Sequence, residues 1–103
     1  MRKANIFMHD IFAGILEEKE PGGMYEFTYD DKYNGPPISL TMPVEKKFFI
    51  FMGFPKFFEG LLPEGIMLEG LLRQNKIDKY DYFSQLTSTG NEMIGAITVK
   101  EVK

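Results

Sequence analysis

A stretch past the middle of the chain, Phe57-Phe58-Glu59-Gly60-Leu61-Leu62-Pro63-Glu64-Gly65, constrains the fold more than any other. Phe57, Phe58, Leu61 and Leu62 recur at i, i+1, i+4 and i+5, which puts four large apolar side chains on one face of a helix. Pro63 then ends that helix, because the residue before a proline is pushed out of the α region. The spacing predicts a short buried helix followed by a rigid corner. For chemistry the stretch offers one acid on each side of its Leu-Leu-Pro turn, and no histidine, cysteine, serine or lysine placed as nucleophile or metal ligand. Its content is shape and apolar surface.

Upstream, Phe48-Phe49-Ile50-Phe51-Met52-Gly53-Phe54-Pro55 is apolar on both faces and fits either a buried strand or the entry to the helix. Core burial accounts poorly for so many consecutive large side chains in a chain of 103 residues, where about half of each element faces water. The run therefore also reads as a partner surface.

The length predicts one domain spanning residues 1–103. A hydrophobic fraction of 44% against 26% charged residues predicts a folded chain, since a disordered segment could not offer this much surface for burial. Without cysteine there is no disulfide framework and no thiolate metal site. The chain opens without the basic-then-apolar layout of a signal peptide, so the cytoplasm is the expected address. No apolar segment approaches the roughly 20 residues that span a bilayer, and the longest is broken by Gly53 and Pro55. A net charge of -3, with twelve scattered Lys and Arg residues, argues against direct nucleic-acid binding. The densest positive spots, Lys46-Lys47 and Lys76 with Lys79, read as solvated surface.

Residues 3–8 and 11–16 are rich in Ile, Phe and Met and flank His9-Asp10, a pair suited to a two-residue hairpin turn. His9 is the single histidine, so a turn role outweighs a metal or triad role. Residues 17–20 and Pro21-Gly22-Gly23 read as a loop. Residues 24–29 alternate as a strand, with Tyr25, Phe27 and Tyr29 forming a core face. Asp30-Asp31 lacks the spacing of a calcium loop and reads as solvated. Asn34-Gly35-Pro36-Pro37 predicts a turn, and residues 38–42 alternate as a fourth strand ended by Pro43. After the corner, Ile66, Met67, Leu68, Leu71 and Leu72 predict an amphipathic helix to about Gln74-Asn75, in which Gly70 permits close packing. Asp78 or Asp81 caps a third helix carrying Tyr82, Phe83 and Leu86, which ends before Gly90. Residues 93–99 predict a last strand whose two small residues admit a neighbouring backbone, and residues 100–103 a charged tail. The expected architecture is α+β, an antiparallel sheet of about five strands with two or three short helices on one face.

Chemistry is sparse. Neither Gly60 with Gly65 nor Gly90 with Gly95 has the setting of a phosphate loop. Glu59, Glu64 and Glu69 are spaced by fives, which spreads them around a helix axis as surface charge. No catalytic residue, metal or cofactor is expected.

Taken together, Pro36-Pro37-Ile38-Ser39-Leu40-Thr41-Met42-Pro43, the corner from Phe57 to Gly65, and Ile94-Gly95-Ala96-Ile97 resemble the N-terminal subdomain of HipA-type serine/threonine kinases. In that family a proline-bounded strand, an FFxnLLPEG corner and a GxxxxGAl strand follow in this order at about this separation. The resemblance covers nearly the whole chain, although the 48–54 run is more apolar than the family pattern. The family's kinase core lies C-terminal to this subdomain, and this sequence holds no ATP-binding loop, catalytic Asp loop or metal-binding Asp motif. A stand-alone copy resembles the HipS-type small subunits of split, tripartite HipB/HipS/HipT toxin–antitoxin systems of bacteria. The resemblance implies a non-enzymatic antitoxin that binds a separate HipT-like kinase and holds it inactive, with a HipB-like helix-turn-helix protein supplying DNA binding. A non-inhibitory subunit bridging kinase and DNA-binding protein is the alternative, and a small independent enzyme is disfavoured. When one polypeptide is split in two, a surface once packed within the chain becomes an interface. Phe49, Phe51, Phe54 and the corner Leu62-Pro63-Glu64 are therefore expected at the kinase contact, with Phe57, Phe58, Leu61 and Leu62 mainly core.

Overall fold

The computed structural model describes residues 2–90 and 96–102. These form β1 (Arg2–Met8), β2 (Ile11–Glu20), β3 (Met24–Tyr29), β4 (Phe48–Met52), α1 (Lys56–Glu59), α2 (Gly65–Asn75), α3 (Tyr82–Thr89) and β5 (Ile97–Val102). The sheet order is β4-β3-β2-β1-β5 with every neighbouring pair antiparallel. The expected α+β architecture is present, with three helices. Because β4 and β5 lie on opposite edges, the chain between them must cross a sheet about 19 Å wide at strand spacing. That crossing carries the helices over one face.

Alternation decides which face they cover. Ala4, Ile6 and Met8 of β1, Leu16 of β2, Tyr25, Phe27 and Tyr29 of β3, and Ile97 and Val99 of β5 are buried together with Phe58, Phe83 and Leu86 from the helices. The β1–β2 turn has the expected His9-Asp10 pair, with φ of 50° and 67°, the doubly left-handed geometry whose twist matches the flanking strands. At the far end, Gly90 closes α3 against β5, where an added Cβ would run into the Val99 carbonyl.

Several expectations need correction. Residues 17–20 belong to β2, which reaches Glu20 before turning at Pro21. Their charge is compatible with a strand because Glu17 and Lys19 lie on the solvent side, where Lys19 bridges Glu17 at 3.4 Å and Glu26 at 3.7 Å. Residues 38–42 form no strand. Ile38 and Met42 are buried, but Leu40 between them is 98% exposed. The Tyr29 hydroxyl accepts from the Ile38 N–H at 3.0 Å and donates to the Met42 carbonyl at 2.6 Å. One side chain thus satisfies the buried backbone groups that a strand partner would otherwise serve. The fourth strand is instead β4, drawn from the ambiguous 48–54 run. Residues 100–102 extend β5, with Val102 opposite Lys3, rather than forming a tail. Of the predicted last strand, Met93, Ile94 and Gly95 lie outside the described residues. The first helix is also shorter than its stripe, since the chain leaves the α-helix after Glu59.

Candidate partner-docking surface

The corner is built from the inside out. Pro55 is buried and leads into α1, whose Phe58 is fully buried 6.2 Å from the Phe27 ring. Beyond α1 the turn tightens, with the Leu61 N–H donating to Phe58 O and the Leu62 N–H to Glu59 O, both at 3.1 Å. Pro63 has no N–H to continue it. Glu64 is extended, and Gly65 takes a φ of +61° to redirect the chain into α2, a conformation that costs any residue with a Cβ about 1–2 kcal/mol. Leu62 and Pro63 are half-buried and Glu64 is exposed, so the corner stands at the surface on an anchored base.

The upstream aromatics fall elsewhere. Phe49 is 6% exposed, 6.1 Å from the Tyr29 ring and with the Lys46 ammonium 5.1 Å from its own centroid. Phe51 is half-buried against the core. Phe54 is wedged between Tyr25 at 5.3 Å and Tyr82 at 5.6 Å. All three turn to the helix side of the sheet. On the opposite side β4 exposes Phe48, Ile50 and Met52. Sequence reasoning missed this division because both faces of β4 are apolar; only its register with β3, Phe27 opposite Phe49 and Glu26 opposite Ile50, assigns them.

Ile66 and Met67 were also missed as surface residues. They are 86% and 76% exposed in the first turn of α2, directly after the corner. Helix α2 buries none of its residues, and Gly70, expected to permit close packing, has nothing within 4 Å of an added Cβ. The apolar positions at 66–68, 71 and 72 are too broadly spread for one buried stripe, which is the signal a stricter periodicity count would have found.

A polar cluster joins the sheet to α3. Arg2 Nε donates to Glu18 Oε1 at 2.7 Å and Nη2 to Glu18 Oε2 at 2.9 Å, forming a bidentate pair. The same guanidinium reaches Asp81 Oδ1 at 2.9 Å and Ser84 Oγ at 2.7 Å, tying the sheet to the start of α3. The Tyr25 hydroxyl donates to Glu18 Oε2 at 2.9 Å. An open cleft of about 320 Å³ lies over this cluster, walled by Tyr80 and Tyr82. Among the described residues no buried side-chain polar atom lacks a partner, and no group of three or more acidic or histidine side chains could hold a metal.

This cluster sets an acid limit on stability. Burial raises the Asp81 pKa, but hydrogen bonds from Arg2 and Ser84 outweigh it and hold the carboxyl below its usual range. A carboxylate depressed in the folded state contributes stability above its unfolded pKa of about 3.9 and loses it as pH falls through the folded value. Burial pushes the Tyr25, Tyr29 and Tyr33 hydroxyls up, so their contribution is present below about pH 10 and lost as pH rises beyond it. Urea midpoints measured across pH are expected to fall below about pH 4 and above about pH 10. Asp81→Asn should remove most of the acid slope that this residue contributes.

Comparison with known proteins places the fold. Residues 4–100 match the family model described as HipA N-terminal domain. The chain belongs to the HipA N-terminal domain family. An uncharacterised protein of Haemophilus influenzae is 32% identical over 103 residues, an alignment covering 100% of this chain and 95% of the relative. A solved structure described as the N-terminal domain of HipA toxin superposes with a TM-score of 0.78 at 29% identity, covering 100% of this chain and 94% of that one. This HipA N-terminal domain is thus associated by family with HipA-type kinase systems. Among its described residues no helix is long and apolar enough to cross a membrane.

Proposed function

We propose that this protein binds a separate HipT-like serine/threonine kinase and holds it inactive, as the antitoxin of a split toxin–antitoxin system. The observation that carries this reading is the exposure of Ile66 and Met67 on a helix with no fully buried residue, immediately after the surface corner Leu62-Pro63-Glu64. Isolated exposed apolar residues are ordinary, but adjacent ones on an unpartnered helix beside a rigid corner have the makeup of an interface anchor. The family match supports the kind of partner. The Haemophilus relative supports a domain that occurs without a long appended chain, since this sequence spans 95% of it. Phe51 and Phe54 contribute at the margin of the contact, while the buried Phe49 stiffens the sheet behind it. With a net charge of -3, DNA binding falls to a HipB-like helix-turn-helix partner.

The test is a kinase assay with and without the protein, paired with co-elution. Stoichiometric wild-type protein is expected to suppress kinase activity. Ile66→Asp and Met67→Asp should each weaken binding by roughly thirtyfold, about 2 kcal/mol at a hot spot, with the fold unchanged by circular dichroism. Failure to co-elute at micromolar concentration would overturn the reading. Co-elution with undiminished kinase activity would favour the bridging role instead.

A further inference from the structure

Helices α2 and α3 differ in N-terminal capping and in burial, although α2 closes its C-terminus with the Lys76 N–H donating to the Leu72 carbonyl. Helix α3 is capped by Asp81, whose Oδ1 accepts from the Ser84 N–H at 3.2 Å, and it buries Phe83, Gln85 and Leu86. Gln85 Nε2 also donates to the Lys79 carbonyl at 3.0 Å. Helix α2 has no side-chain cap at Glu64, a left-handed Gly65 as its first residue, and Gly70 in its interior. It ends on Lys76 in the left-handed region, at φ 55° without the benefit of glycine. Its eleven residues fall short of the roughly 12–15 at which even favourable isolated helices become stable in water. Tertiary packing does not make up the deficit. The half-buried residues packed against the core are Val44, Phe51, Phe54, Phe57, Leu61, Leu62 and Ala96, none of them from α2. Leu68, Leu71 and Leu72 are only half-buried.

From this contrast we infer that α2 is a coupled-folding element, which opens by itself in the free protein while the sheet and α3 stay folded, and is completed as a helix by the partner that covers Ile66 and Met67. The second half rests on the docking reading above; the first does not. The physical basis is that an element with few buried contacts opens at a free energy far below that of global unfolding. A binding-competent state that is only fractionally populated lowers apparent affinity by that fraction. The length of time α2 spends folded therefore sets how tightly the protein holds its kinase.

Gly70 offers a direct handle, because nothing lies within 4 Å of an added Cβ. Alanine there favours the helix over glycine by roughly fivefold. Asn75→Ala, at the last residue of α2 and about 12 Å along the helix from Met67, gives a smaller gain of no more than about threefold. Hydrogen exchange on the free protein is expected to show α2 amides exchanging at least tenfold faster than those of α3 and β1–β3. Trypsin should cut first at Arg73 or Lys76. Both alanine variants should slow α2 exchange by the factors given, leave the sheet unchanged, and tighten kinase binding to a similar extent. Addition of the kinase should bring α2 protection to the level of α3. Equal protection of α2 and α3 in the free protein would overturn the inference even if the kinase binds. Fast α2 exchange with no kinase binding would instead sink the docking reading, and with it the second half of the inference alone.

Discussion

Replacing Arg2 with methionine is expected to lower the unfolding free energy by about 3 kcal/mol, the low end of the cost of removing one partner from a buried ion pair. Glu18 is 3% exposed, and its carboxylate depends on the Arg2 fork and the Tyr25 hydroxyl. Truncation would strand that charge, because among the described residues no other cation hydrogen-bonds to it. Arg2 itself is a third exposed, which lets water reach the vacated site and keeps the loss from the upper end of the range. Arg2→Lys should recover only part, since an ammonium cannot reproduce the two parallel hydrogen bonds. The double variant Arg2→Met with Glu18→Leu should regain most of the stability, because the burial penalty disappears with the charge. Urea unfolding of the four proteins checks this; a single variant within 1 kcal/mol of wild type would show that water already screens the pair.

Phe58→Ala is expected to cost about 4 kcal/mol, the range found when a fully buried phenylalanine is cut to a methyl. The ring lies between Phe27 at 6.2 Å and Phe57 at 5.1 Å and carries the corner on its backbone. Collapse around the cavity would therefore displace Leu61 and Leu62 and misdirect α2. Phe48→Ala, on the open face of β4 at 42% exposure, should cost no more than about 1 kcal/mol. Thermal unfolding separates the two, and comparable losses would mean that the outer face of β4 is covered after all.

The pattern of gains and misses in the sequence has a physical pattern of its own. The His9-Asp10 hairpin, the Tyr25, Phe27 and Tyr29 face and the Asp81 cap were legible because each depends on contacts within a few residues. The 38–42 segment was misread because its alternation of Ile38, Leu40 and Met42 matches a strand, whereas the Tyr29 hydroxyl supplies its backbone partners from outside. Glu18 was placed in a loop because a buried carboxylate is intelligible only with Arg2 across the strand pair and Tyr25 beside it.

The candidate surface divides in the same way. Residue pattern alone located the corner and Phe58 beneath it, since side-chain spacing is a property of the local chain, whereas the helix expected to run to Pro63 ends at Glu59. Which aromatics of residues 48–52 face outward, and that Ile66 and Met67 stand uncovered while α3 is sealed, came only from the three-dimensional arrangement. A strand apolar on both faces carries no record of its own orientation, and whether a helix finds a neighbour is decided by where the rest of the chain goes.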